Sequence, residues 1–138
     1  MKKSIVFVCI HNSARSQMAE EILRQLAGDS FEVESAGIMP GTLNPRVIEV
    51  LKEIDIDILG KTTKSVDQLI AQGKEFDYII TVCDQASAEK CPIFPGAGTR
   101  LHWGFEDPSR WKEDDALEKT RVVRDQIKTK ITSWLSEQ

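Results

Sequence analysis

The sequence predicts a small three-layer α/β domain, and three observations carry that prediction. Residues 4–9 (Ser-Ile-Val-Phe-Val-Cys) form a nearly continuous apolar run rich in β-branched and aromatic side chains, as a central parallel strand covered on both faces requires. Other extended runs alternate along the chain with stretches whose apolar residues recur at helical spacing. The resulting order, βαβα(α)βαβα, puts helices on both faces of one sheet.

After the first strand, Met18, Ala19, Ile22, Leu23 and Leu26 share one helical face, with Ser13 as the start signal and Gly28 as the stop. Residues 31–35 alternate Phe, Glu, Val, Glu, Ser and fit a second, less buried strand. Residues 37–41 read as loop. Asn44 followed by Pro45 starts a helix whose apolar face is Val47, Ile48, Val50, Leu51 and Ile54. A short helix over 66–71 ends near Gly73, and 76–82 is a third buried strand carrying Cys83 at its carboxyl end. Residues 84–90 are compatible with a short helix that Pro92, Pro95 and Gly96 prevent from continuing. A fourth strand lies within 99–103, and 104–115 is largely loop. Ala116, Val123, Ile127, Ile131 and Trp134 mark a long final helix, broadened by Leu117, Val122 and Leu135.

The 138 residues, 41% of them apolar, suffice for one substantial core and are short for two, so one domain over 1–138 is expected. Acidic residues outnumber basic ones 22 to 18, and a formal charge of -4 gives no general basis for binding nucleic acid. The longest apolar stretches are far too short to span a bilayer, and no small-residue cleavage site follows Lys2, Lys3 and the apolar run. The expectation is a cytoplasmic protein with neither nucleic-acid nor membrane partners. An odd number of cysteines (Cys9, Cys83 and Cys91) suits a purely structural disulfide framework poorly. They read either as buried free thiols or as redox and nucleophilic groups.

The segment Val8-Cys9-Ile10-His11-Asn12-Ser13-Ala14-Arg15-Ser16 is the most informative. A strand-loop-helix junction points successive N–H groups inward, and the helix terminus adds a potential that favours an anion. The five residues Ile10, His11, Asn12, Ser13 and Ala14 between Cys9 and Arg15 let the loop curl around a tetrahedral oxyanion, which the guanidinium can clamp in a bidentate arrangement. The same field favours the Cys9 thiolate, the reactive form. Ser16 is a hydroxyl donor to that thiolate and Asn12 a holder of the loop shape through backbone hydrogen bonds. The plainer alternatives are a core Cys9, a solvent-facing Arg15 and a surface Ser16.

Cys9 to Arg15, followed by Ser16-Gln17-Met18-Ala19-Glu20, resembles the signature of the low-molecular-weight tyrosine phosphatase superfamily, and within it the arsenate reductases most closely. The resemblance continues through Ser35-Ala36-Gly37, Thr81-Val82-Cys83-Asp84, Cys91-Pro92 and Trp103-Gly104-Phe105-Glu106-Asp107-Pro108, and so covers most of the chain. It implies a four-stranded parallel sheet, an anion loop at Cys9 to Arg15, a general acid at Asp107 and a relay through Cys83 and Cys91. Ala14 departs from members with a further cysteine there, and seven residues rather than the commoner six separate Cys83 from Cys91.

The implied activity is reduction of arsenate to arsenite. Cys9 attacks arsenic while Asp107 protonates a departing oxygen, Cys83 resolves the adduct, and Cys91 regenerates Cys9. No tightly bound cofactor is implied. The electrons come from an external thiol reductant, with thioredoxin first and glutaredoxin with glutathione as the other source. Asp107 reads otherwise as a turn former before Pro108. Trp103 and Phe105 either close the core or shelter the site, His11 tunes the cradle at most, and His102 is structural. Some members hold a monovalent cation at positions matching Asn12, Glu20 and Ser35. Here Lys64 stands where an acidic ligand is expected, so a lysine ammonium takes the ion's role and no metal is required; the plainer reading makes Glu20 a solvent-facing helix residue. Two other functions fit the sequence: a tyrosine phosphatase, with Trp111 as an aromatic wall, and a non-catalytic oxyanion-responsive binding protein.

Overall fold

The computed structural model describes residues 2–84 and 89–138. Four strands, β1 (Lys3–Cys9), β2 (Phe31–Gly37), β3 (Tyr78–Thr81) and β4 (Thr99–His102), form one sheet in the order β2-β1-β3-β4. Every pairing is parallel. The most apolar strand is therefore flanked on both sides, as its composition demands. The helices are α1 (Arg15–Ala27), α2 (Pro45–Lys52), α3 (Val66–Ala71) and α4 (Ala116–Ser136).

The strand alternation divides the core in two. Ile5, Phe7 and Cys9 face the larger cluster, where α1, α2 and α4 contribute Ile22, Leu51 and Ile127. Val6 and Val8 face a smaller cluster built with Val66 and Leu69 of α3 and with Phe76, Cys91 and Phe94. Cys9 and Cys83 thus belong to one side of the sheet and Cys91 to the other. Among the described residues, no helix is long and apolar enough to cross a membrane.

The element boundaries differ from expectation where tertiary contacts intervene. Helix α1 begins at Arg15 rather than Ser13, because residues 10–14 are taken up by a loop, and its N-cap is Ala14 without a side-chain cap. Strand β2 runs on to Gly37, where an isolated bridge to Ser65 extends its pairing. The third strand shortens to Tyr78–Thr81, with Phe76 outside it, packed edge-on against Phe94 at 5.3 Å. Asn44 and Pro45 start α2 as expected, the Asn44 side chain accepting from the Arg46 N–H. The loop over 104–115 contains a 3-10 turn at Pro108–Arg110. The helix expected over 84–90 falls mostly on residues 85–88, outside the described residues; residues 89 and 90 form a turn.

Candidate active site

Residues 10–14 leave the carboxyl end of β1 and wind back into α1. The carbonyls of Cys9, Ile10, His11 and Ser13 are held from outside: Ile38 N–H donates to Cys9 (3.0 Å), Met39 to Ile10 (2.7 Å), Gly41 to His11 (2.9 Å) and Asn44 to Ser13 (2.9 Å). With those carbonyls turned outward, the loop N–H groups face the other way, as an anion cradle requires. The Asn12 N–H lies 3.2 Å from Cys9 Sγ.

Asn12 adopts a left-handed φ of 54°, which its short polar side chain supports by local bonding. Its Nδ2 donates to Ser16 Oγ (2.7 Å) and Ser35 Oγ (2.9 Å). Its Oδ1 accepts from Gln17 Nε2 (3.1 Å) and the Lys64 backbone N–H (2.9 Å). The expected backbone bonding by Asn12 is therefore one link among four, the others running to side chains. Ser16 Oγ sits 2.9 Å from Cys9 Sγ, and because Asn12 already donates to that oxygen, the hydroxyl proton is available to the sulfur. Ser16 is fully buried and not a surface hydroxyl.

Arg15 is 4% exposed, which removes the solvent-facing alternative. Its Nη1 donates to the Phe105 carbonyl (3.1 Å) and its Nη2 lies 3.6 Å from Asp107 Oδ2. Its Nε is buried without a hydrogen-bond partner among the described residues. Such a donor is costly to leave unmade, and an entering oxyanion would satisfy it. Asp107 combines both readings of its sequence: Oδ1 caps the 3-10 turn by accepting from the Ser109 N–H (3.0 Å), while Oδ2 faces Arg15. Arg15, Asp107, Ile10 and Asp84 line a cleft of about 630 Å³ that also reaches Phe105 and His102.

All three cysteines are free and buried. Burial pushes the Cys83 thiol up to about 11, with the Arg15 charge opposing. Burial also raises Cys91, again against an arginine, Arg100. Trp103 closes the core beside Phe7 and Trp134, at ring separations of 6.0 Å each, whereas Phe105 stays at the cleft. His11 Nδ1 bonds the Met39 carbonyl (2.8 Å), and His102 Nδ1 bonds Thr81 Oγ1 (2.7 Å).

One assignment is corrected. Lys64 does not occupy the cation position: its ammonium pairs with Glu34 (3.2 Å), and only its backbone reaches Asn12. The ammonium that reaches Glu20 is that of Lys61, with Nζ 2.9 Å from Glu20 Oε1 and 2.7 Å from Glu21 Oε1. Glu20 is 3% exposed, so it is no solvent-facing helix residue. Its Oε1 also accepts from Ser35, and its Oε2 takes Arg24 Nη2 at 2.6 Å. N–H and O–H groups thus engage the oxygen atoms of Glu20 and Asn12, and a monovalent cation does not fit this donor set.

Sequence reasoning gave no role to Lys61, Gln17, Gly37 or the Phe105 carbonyl. Gln17 and Gly37 lie inside motifs that carried the resemblance, and a buried amide within a helix was the available signal for the first. Lys61 sits in a polar loop and offers no signal of its own.

The profile of the family described as low molecular weight phosphotyrosine protein phosphatase matches residues 4–138, and the chain belongs to that family. Within it, arsenate reductase 1 of Staphylococcus saprophyticus is 43% identical over 135 residues, covering 96% of each chain. A solved arsenate reductase in its oxidized state superposes with a TM-score of 0.82 at 29% identity, covering 98% of both chains. A thioredoxin-dependent arsenate reductase of Corynebacterium glutamicum gives a TM-score of 0.69 at 32% identity, over 99% of this chain and 64% of the other.

Proposed function

We propose that residues 1–138 form one catalytic domain that reduces arsenate to arsenite through Cys9, Cys83 and Cys91 in turn. The carrying observation is the second thiol: Cys83 packs in the same cluster as Cys9, at the carboxyl edge of the sheet and under the Arg15 charge. A phosphatase has no use for it. The full-length likeness to arsenate reductases supports the same reading.

The N–H groups of Ile10, His11, Asn12, Ser13, Ala14 and Arg15, with the Arg15 guanidinium, hold the oxyanion against Cys9. The Cys9 thiolate, steadied by Ser16, attacks arsenic, and Asp107 protonates the departing oxygen, which leaves as water. Cys83 then attacks the Cys9 sulfur. The sulfur–arsenic bond breaks with its electron pair going to arsenic, which leaves as arsenite, and a Cys9–Cys83 disulfide remains. Cys91 attacks Cys83, freeing the Cys9 thiolate and leaving Cys83–Cys91, which an external dithiol reduces. Cys91 starts in the opposite core, so one sulfur must be brought to the other before a disulfide of normal geometry can form.

The external reductant is a thioredoxin-type dithiol protein, a choice supported by the thioredoxin-dependent relative. The protein works in the cytoplasm, where such reductants keep thiols reduced. Peptide mapping of acid-quenched single turnovers tests the sequence of steps. Wild type should accumulate Cys83–Cys91, and Cys91→Ser should stop at Cys9–Cys83. Full turnover by Cys83→Ser/Cys91→Ser with a protein dithiol would remove the relay. Phosphotyrosine hydrolysis without arsenate reduction by wild type would make the protein a phosphatase. Parallel assays with thioredoxin and with glutaredoxin plus glutathione decide the reductant.

A further inference from the structure

A continuous buried hydrogen-bond chain runs from the surface of the molecule to the nucleophile. Lys61 Nζ, in a side chain 20% exposed, contacts Glu20 Oε1 at 2.9 Å. Ser35 donates to that same oxygen. Ser35 Oγ then accepts from Asn12 Nδ2 (2.9 Å), which also donates to Ser16 Oγ (2.7 Å), itself 2.9 Å from Cys9 Sγ. Its directions are forced. A carboxylate only accepts, so the Ser35 proton is committed to Glu20 and its oxygen is left to receive the Asn12 amide. The second Asn12 hydrogen fills a lone pair of Ser16, whose own proton is turned to Cys9.

From this chain we infer that Lys61 is a positioning residue for Cys9, a built-in ammonium that anchors the chain running through Glu20, Ser35, Asn12 and Ser16. The inference rests on the proposed function only in taking Cys9 as the nucleophile.

Burial by itself would push the Glu20 carboxyl up. The Lys61 charge, with hydrogen bonds from Ser35, Lys61 and Arg24, holds it below its ordinary value. Both Lys61 and Arg24 also contact Glu21, but Arg24 is a poor substitute because its side chain is 44% exposed against 20% for Lys61. Without Lys61, the buried carboxylate is under-compensated and takes up either a proton or an ion. A protonated carboxyl donates, and in donating to Ser35 it competes with the Asn12 amide and slackens the chain to Cys9.

The test is the rate of Cys9 alkylation by iodoacetamide at one fixed pH, in potassium chloride and in tetramethylammonium chloride at equal ionic strength. A Cys83→Ser/Cys91→Ser background makes the reading specific to Cys9. Wild-type Lys61 should react equally fast in both salts. Lys61→Met should react about tenfold more slowly in tetramethylammonium, as loss of one charge-assisted hydrogen bond to a thiolate implies, and recover most of that rate in potassium. Lys61→Arg, which keeps a cation beside Glu20, should stay near wild type without potassium. Circular dichroism of each variant separates these effects from unfolding. Equal rates for folded Lys61→Met and the Lys61 protein would overturn the inference, as would a potassium response in the Lys61 protein. The proposed function fails separately, in the single-turnover mapping of disulfides.

Discussion

Arg15 holds three positions at once. Its Nη1 is fixed on the Phe105 carbonyl, its Nη2 faces Asp107, and its Nε is buried without a partner among the described residues. The guanidinium is thereby oriented before any oxyanion arrives, so little side-chain entropy is lost on binding. In the proposed reaction the neighbouring Asp107 carboxyl delivers the proton to the departing oxygen. Asp107→Asn keeps the cap to Ser109, because the amide oxygen accepts equally well, but has no acidic proton. Formation of the Cys9 adduct should slow by about 10²–10⁴-fold, the usual contribution of a positioned acid. Rapid-quench measurement isolates that step from later exchange. Unchanged rate and pH dependence would exclude Asp107 as the acid.

The loop over 10–14 depends on β2 as much as on its own sequence. An added Cβ at Gly37 would come within 2.8 Å of Asn12 N and His11 C and 2.9 Å of the Ile10 carbonyl oxygen, all backbone atoms that cannot swing aside. Gly37→Ala should therefore displace the cradle while leaving the sheet in place. Sulfate or arsenate affinity should fall by about tenfold or more, with only a modest change in melting temperature, since each 1.4 kcal/mol is one decade. Calorimetric titration and thermal melts check the two halves. Unaltered affinity would show that the loop yields. This dependence explains what the sequence made legible. The strand before the loop and the helix after it follow from apolar periodicity, and the Asn44-Pro45 start follows from local capping. The spacing of Cys9, Arg15 and Ser16 at that junction leaves plainer readings open, and it is the family resemblance that groups them into one site. The start at Ser13 was misplaced because the left-handed turn at Asn12 is sustained by Ser35, Gln17 and Lys64, distant in sequence. The side of the sheet that receives Cys91, and the choice of Lys61 over Lys64, are likewise decided by packing between elements. No local pattern carries them.

Across the whole molecule, the two faces of the sheet are secured unequally. On the side of Cys9, α2 is tied to α4 by Glu53, whose Oε1 accepts from Arg121 Nε (2.8 Å) and Arg124 Nη1 (2.7 Å) and whose Oε2 accepts from Arg121 Nη2 (2.7 Å). Among the described residues, the side of Cys91 carries the six-residue α3 and the loop around Phe94. The face that shapes the cradle is thus braced by an ion-pair network between two helices. The brace has a pH signature. A hydrogen bond from Arg121, joined by one from Arg124, outweighs the opposing effect of burial and lowers the Glu53 carboxyl to about 2. A carboxyl depressed in the folded state adds stability that is complete above its unfolded value, near 4.5, and is lost as pH falls toward 2. Glu20 and Glu34, also held low by lysines, act in the same direction. Melting temperature should therefore be flat with respect to these groups above about pH 5 and fall steadily below it. Glu53→Gln should lower it by only a few degrees at pH 7, because the carboxylate is one-third exposed and solvent screens the pair. The gap between variant and wild type should close toward pH 2, where both lack the charge. A gap that stayed constant from pH 7 to pH 2 would mean that Glu53 stabilises by packing, and the ionic brace between α2 and α4 would have to be abandoned.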